Sequence, residues 1–176
     1  MTILDELRSG VTTASAEETR CVGARLAAVL PPDATIALHG DLGVGKTTFV
    51  QGLARGFGLS AHVTSPTFNI LHLYRNASRP QRPGEHSTGP RTPGGETSDP
   101  HPAVPPGPTL VHLDAYRLEN ARQIDTLMLE DFLVSPYCLV VEWPERIAGW
   151  LPGDTRHLTL AIEAPGRHRL TLGQPG

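Results

Sequence analysis

The run His39-Gly40-Asp41-Leu42-Gly43-Val44-Gly45-Lys46-Thr47-Thr48 constrains this chain more than any other stretch. It fits G-x-x-x-x-G-K-[ST] at every fixed place, with Gly40, Gly45, Lys46 and Thr47 in the required positions. The spacing has a physical reason. A triphosphate needs many donors converging on its oxygens, and backbone N–H groups supply them when the chain curls around the anion. Glycines permit that curl because they tolerate positive φ. In this pattern the backbone from Gly40 through Asp41, Leu42, Gly43, Val44 and Gly45 to Thr48 wraps the phosphates. Lys46 reaches the β- and γ-phosphates, and the Thr47 hydroxyl sits on Mg²⁺.

The flanks agree with the loop. Ala34-Thr35-Ile36-Ala37-Leu38 is apolar and reads as a buried strand. Thr47 to Gly58 reads as a helix, with Phe49, Val50, Leu53 and Phe57 at helical spacing and Gly58 as the stop. Strand, loop and helix in that order put a helix N-terminus behind the anion. Lys46 is also the only lysine; the other 14 of the 15 Lys and Arg residues are arginines. A flexible point charge is used only where phosphates are expected.

At 176 residues the chain reads as one domain, residues 1–176, with a formal charge of −3 and no basic stripe. Autonomous nucleic-acid binding is therefore not expected. Cys21 and Cys138 show no metal spacing and read as reduced, buried thiols of a cytoplasmic protein. No signal peptide is legible at the N-terminus, and no apolar run approaches the ~20 residues of a membrane span.

Residues 1–13 read as a short lead-in. Ser15 and Glu18 form a capping box, followed by Val22, Leu26, Val29 and Leu30 on one helical face, with Thr19 as a surface residue of the first turn. Thr64-Ser65-Pro66-Thr67-Phe68 packs hydroxyls around a proline. An ordinary turn into a strand at 68–74 fits it, and so does a γ-phosphate-sensing segment acting through Thr67. Residues 76–108 hold nine of the 17 prolines, five glycines and almost no large apolar side chain. Such a stretch buries too little to offset its ordering entropy and reads as a disordered insertion between strands.

Thr109 to Asp114 is an apolar strand ending in an acid, the Walker B pattern. A helix is expected over 120–134, with Ile124, Leu127, Met128 and Phe132 inward. Cys138 to Glu142 is a second acid-tipped strand, followed by Trp143, which fits a core plug, a pocket cap or a stacking platform. Of Asp114 and Glu142, one can serve the metal while the other binds it too or orients a water. A short helix follows at 146–150. Leu158, Leu160 and Ile162, then Leu170 and Leu172, alternate with polar residues around Ala164-Pro165-Gly166-Arg167 and predict a terminal antiparallel hairpin. The fold class is α/β: a P-loop NTPase-like, mostly parallel sheet flanked by helices, with that hairpin added.

Four motifs occur in order: Gly40–Thr48, Thr64–Phe68, His112-Leu113-Asp114-Ala115-Tyr116-Arg117-Leu118, and Val141-Glu142-Trp143-Pro144-Glu145. Together they resemble the bacterial tRNA threonylcarbamoyladenosine biosynthesis ATPase family, TsaE, over nearly the whole chain except 76–108. The resemblance implies slow ATP hydrolysis and work with two partner proteins of the threonylcarbamoyl-transfer complex, the TsaB and TsaD types. Those partners modify adenosine 37 of tRNAs reading codons that begin with A, and the ATP cycle resets their complex; tRNA is engaged only indirectly. It further implies that Lys46 holds phosphates, that Thr47 holds Mg²⁺, and that Thr67 lies in a switch-like segment. Asp114 and Glu142 become the metal-binding or catalytic acids, and Trp143 becomes functional.

Rival classes are weaker. Guanine specificity through Asn-Lys-x-Asp is impossible when the only lysine is Lys46. A small-molecule kinase needs an arginine-bearing lid, for which only the insertion is available. A non-catalytic nucleotide sensor would leave Asp114 and Glu142 without a task.

Overall fold

The computed structural model describes residues 1–60, 63–66, 70–75, 107–118 and 122–173. Thr67 and all of the Pro/Gly-rich stretch except residues 107 and 108 lie outside the described residues. The elements are α1 (Ile3–Ser9), β1 (Val11–Thr13), α2 (Ala16–Ala27), β2 (Ala34–His39), α3 (Lys46–Gly56), β3 (Leu71–Tyr74), β4 (Thr109–Asp114), α4 (Arg122–Thr126), β5 (Tyr137–Glu142), β6 (Arg156–Ala164) and β7 (Arg167–Leu172). Two 3₁₀ turns cover Leu129–Phe132 and Pro144–Ile147.

One seven-stranded sheet runs β1-β7-β6-β2-β5-β4-β3. Its centre, β6-β2-β5-β4, is parallel, and both margins are antiparallel. The α/β class and the terminal hairpin expected from the sequence are both present. Gly166, in the hairpin turn, has φ 72°, as a glycine at the third position of a type II turn requires.

Central strands covered on both faces read as continuous apolar runs. Leu110, Cys138 and Val140 pack on one side with α1, α2 and α3. Val111, Leu113, Leu139 and Val141 pack on the other with Ile124, Leu129 and Ile147. By the same alternation His112, Asp114 and Glu142 fall on the α3 side. α2 and α3 lie close: a Cβ on Gly52 would come within 2.2 Å of the Arg20 carbonyl oxygen.

Several expectations are corrected. Residues 1–13 are not a lead-in. Thr2 and Asp5 form a reciprocal capping box for α1, whose Ile3 and Leu7 are buried, and β1 closes the sheet edge. α2 ends at Ala27, so Val29 is exposed. Thr19 is buried, its hydroxyl 2.8 Å from that of Thr13, rather than on the surface. The helix expected over 120–134 is cut short: α4 ends at Thr126, and Met128 stands exposed with φ 47°. The helix expected at 146–150 is instead the 3₁₀ turn Pro144–Ile147. Cys138 is buried but Cys21 is exposed on α2.

Candidate functional site

The loop between β2 and α3 forms the floor of the site. Gly40 has φ 129°, and a Cβ there would come within 2.2 Å of the Leu160 carbonyl oxygen. Only glycine can carry the chain past β6 at that point. Gly43 and Gly45 also have positive φ. Val44 is buried as the loop's anchor, while Leu42 is 87% exposed at its tip.

The three long-chain entries into helices differ in a way that matters. α1 and α2 satisfy their first N–H groups with the side chains of Thr2 and Ser15, and both carry acids in the first turn. In α2 the reciprocal bond of the capping box goes one residue further back than expected, from the Ala14 N–H to Glu18. α3 begins on Gly45, has no side-chain cap and has no acid in its first turn. Its N-terminal N–H groups and the positive end of its dipole are left for an outside anion.

Lys46 is 5% exposed. Its Nζ donates to the carbonyls of Gly40 at 2.7 Å and Asp41 at 2.9 Å, and lies 4.8 Å from the centre of the Trp143 ring. The ammonium is thus solvated by the loop's own oxygens and an aromatic face. Trp143 in turn meets Tyr116 at 5.1 Å between ring centres. Its backbone is left-handed, φ 57° and ψ 49°, which directs the ring into the site. The core-plug option for Trp143 is therefore corrected: the ring lines a cleft.

That cleft is ≈ 450 Å³ and is lined by Gly43, Gly45, Lys46, Thr47, Thr48 and Ser65 on one side and by Asp114, Tyr116, Glu142 and Trp143 on the other, with Leu42 at the rim. Asp114 and Glu142 are register partners at the C-terminal ends of β4 and β5, and both are buried. Ligands in open α/β sheets bind at such strand ends. Asp114 is held by two backbone bonds: its N–H donates to the Ile70 carbonyl, and its Oδ1 accepts from the Tyr116 N–H at 3.0 Å. Glu142 Oε1 lies 2.9 Å from His112 Nε2.

The donor set fits Mg²⁺ with a nucleotide: a hydroxyl and two carboxylates, all oxygen, with phosphate oxygens left to complete the shell. Among the described residues no group of three or more His, Cys, Asp or Glu could hold a metal alone.

Sequence reasoning missed three side chains. His112 was legible only as part of a strand; its bond to Glu142 depends on β4–β5 register. His39, ending β2, lies 2.9 Å through Nε2 from Nδ1 of His157 on β6. Burial, then the charge of His157, hold the His39 pKa below the usual histidine value, against a smaller upward pull from Glu145. Tyr74 closes the far side: its hydroxyl donates to the Thr64 carbonyl, meets the Thr64 N–H, and lies 3.0 Å from His72 Nδ1.

A strand, a glycine-rich loop and an uncapped helix, faced by two acids at neighbouring strand ends, define the P-loop class of α/β protein. The particular family follows from comparison. The family model "Threonylcarbamoyl adenosine biosynthesis protein TsaE" matches residues 13–86 and 98–170; the gap between falls inside the Pro/Gly-rich stretch. The chain belongs to the TsaE family. It is 36% identical to the tRNA threonylcarbamoyladenosine biosynthesis protein TsaE of Streptomyces coelicolor over 80% of this chain and 77% of that one. The Rickettsia bellii protein of the same name is 33% identical over 89% and 88%. The Treponema pallidum protein is 28% identical over 90% and 95%. Among solved structures, Bacillus subtilis YdiB shares the fold with a TM-score of 0.66, covering 95% of this chain and 85% of that one at 24% identity.

Proposed function

We propose that this chain is a single-domain, Mg²⁺-dependent ATPase, slow alone and dependent on partners. It serves the cytoplasmic machinery that makes N6-threonylcarbamoyladenosine at position 37 of tRNAs reading codons that begin with A. The observation that carries this is the pairing of Asp114 with Glu142 opposite Lys46 across one cleft. The relatives named above are tRNA threonylcarbamoyladenosine biosynthesis proteins, which supports the pathway. Among the described residues no helix is long and apolar enough to cross a membrane.

In this mechanism the loop N–H groups from Gly43 to Thr48 and the N-terminus of α3 bind the phosphates of ATP. Lys46 turns from the Gly40 and Asp41 carbonyls toward the β- and γ-phosphates. The Thr47 hydroxyl and one or both of the Asp114 and Glu142 carboxylates would hold Mg²⁺, which when bound would offset charge on the phosphate oxygens. Whichever carboxylate is free of the metal accepts a proton from, or orients, the attacking water. Trp143 and Tyr116 restrict bulk water at the mouth. Thr67, from the segment beginning at Thr64, serves as the γ-phosphate contact. The ATP cycle then resets the two partner proteins, of the TsaB and TsaD types, and tRNA is met through them.

Phosphate release from Mg-ATP by the purified chain tests this, alone and then with the partner pair and tRNA. Slow release that rises with the partners, and that disappears in Lys46→Ala and Glu142→Ala, is expected. ATP use driven by a small acceptor without free phosphate would replace the proposal with a kinase.

A further inference from the structure

The Glu142 carboxylate has a buried partner that the mechanism above does not use. His112 is 0% exposed in the middle of β4, between the buried apolar side chains of Val111 and Leu113. Burying an imidazole there is costly unless its nitrogens are satisfied. Its Nε2 lies 2.9 Å from Glu142 Oε1, and its Nδ1 is buried without a hydrogen bond. That pattern selects the tautomer with the proton on Nε2, donating to the carboxylate; an unpaired bare nitrogen is the cheaper orphan than an unpaired N–H.

Geometry gives this bond a directional consequence. His112 pairs in register with Val140 and Glu142 with Asp114, so the histidine sits one pleat below the two acids on the same side of the sheet. It holds Oε1 from beneath, leaving Oε2 for the cleft that Glu142 lines. On the next strand His72 is the register partner of His112, and the His72–Tyr74–Thr64 bonds continue the polar layer to the segment that leads to Thr67.

We propose that His112 is a positioning residue for Glu142: it fixes the rotation of the carboxylate so that one oxygen faces the phosphate end of the cleft. This rests on the ATPase reading of the site. Partners of this kind typically contribute ten- to a hundredfold to activity or metal affinity.

The test compares His112→Gln, His112→Asn and His112→Leu in the full chain. Glutamine places an amide N–H near the position of Nε2, whereas asparagine is shorter by one carbon and reaches only the position of Nδ1. Turnover of Mg-ATP is expected to fall about 10–100-fold in the asparagine and leucine variants and to return to within about threefold in the glutamine variant. Affinity for a fluorescent ATP analogue, measured without turnover, is expected to stay within about twofold in all three, because the loop and Lys46 are untouched. Thermal melts report folding separately. If leucine fails to fold, the glutamine–asparagine pair alone decides. Equal rates in those two variants, or a loss carried by nucleotide affinity rather than turnover, would overturn the inference. The wild-type chain run in parallel separates the two claims: if it releases no phosphate, alone or with the partner pair and tRNA, the ATPase reading falls and the inference with it.

Discussion

His39 Nε2 and His157 Nδ1 meet at 2.9 Å at the point where β2 hands the chain to the Gly40–Gly45 loop, their rings stacked at 28°. One nitrogen must be bare to accept, so the pair cannot take a proton on both facing atoms. Burial and His157 lower the His39 pKa in the folded chain. The unfolded chain then binds more protons near and below the ordinary histidine value of 6.5. Stability is therefore full above that value and falls as pH drops through it toward the lowered folded pKa. Urea melts at pH 7.5 and pH 5.5 are expected to show this fall, and His39→Gln is expected to reduce it. His72, whose pKa is lowered first by burial, adds to the same trend.

Leu7 is fully buried against the sheet, in a segment that sequence reading treats as peripheral. Leu7→Ala is expected to cost about 2–5 kcal/mol of unfolding free energy. A denaturant melt that moves by less than the error of the midpoint would show that α1 and β1 are dispensable.

Gly40 and Gly43 both have positive φ but differ in space. A Cβ on Gly40 strikes the Leu160 backbone, whereas one on Gly43 meets nothing within 4 Å. Gly43→Ala is expected to cost about 1–2 kcal/mol of strain. Gly40→Ala adds backbone overlap to the strain, so it is expected to cost at least twice as much and to shift β2 from β6. Calorimetry on the two variants, with nucleotide titration alongside, checks the order.

The two thiols are expected to separate cleanly. Cys138 is buried and its pKa is raised to about 12 by desolvation; Cys21 is exposed. A neutral-pH thiol reagent is expected to modify one cysteine in the native chain and both in denaturant, with peptide mapping placing the native adduct on Cys21.

Local chemistry was legible wherever one short run carried the whole constraint. The Gly40–Thr48 motif, the acid-tipped strands ending at Asp114 and Glu142, and the terminal hairpin of β6 and β7 each depend on a few consecutive residues and are present, although Ile162, expected to alternate inward with Leu158 and Leu160, is exposed where the β6–β7 register shifts. Failures came where a partner far along the chain decides. The first 13 residues look too short to matter until Val11 is seen pairing with Leu170. Met128 sits at helical spacing, but the chain turns out of the helix at Thr126, and the 3₁₀ turn that follows buries Leu129 instead. The Thr2–Asp5 capping box is the local signal for α1 in that segment.

The sequence by itself determined the chemistry of the loop, because spacing of glycines and one lysine sets which backbone and side-chain donors can converge on an anion. It also determined the α/β class, since buried parallel strands and their covering helices differ in apolar period. Only the tertiary structure decided what faces that loop. Strand register brings Asp114 level with Glu142, sets His112 beneath the carboxylate and swings Trp143 over Lys46. Those contacts join residues 28 to 97 positions apart, as the numbering in the sequence shows, and no local pattern specifies them. They are set by hydrogen-bond register and by the burial of whole strands, a property of the assembled sheet rather than of any one segment.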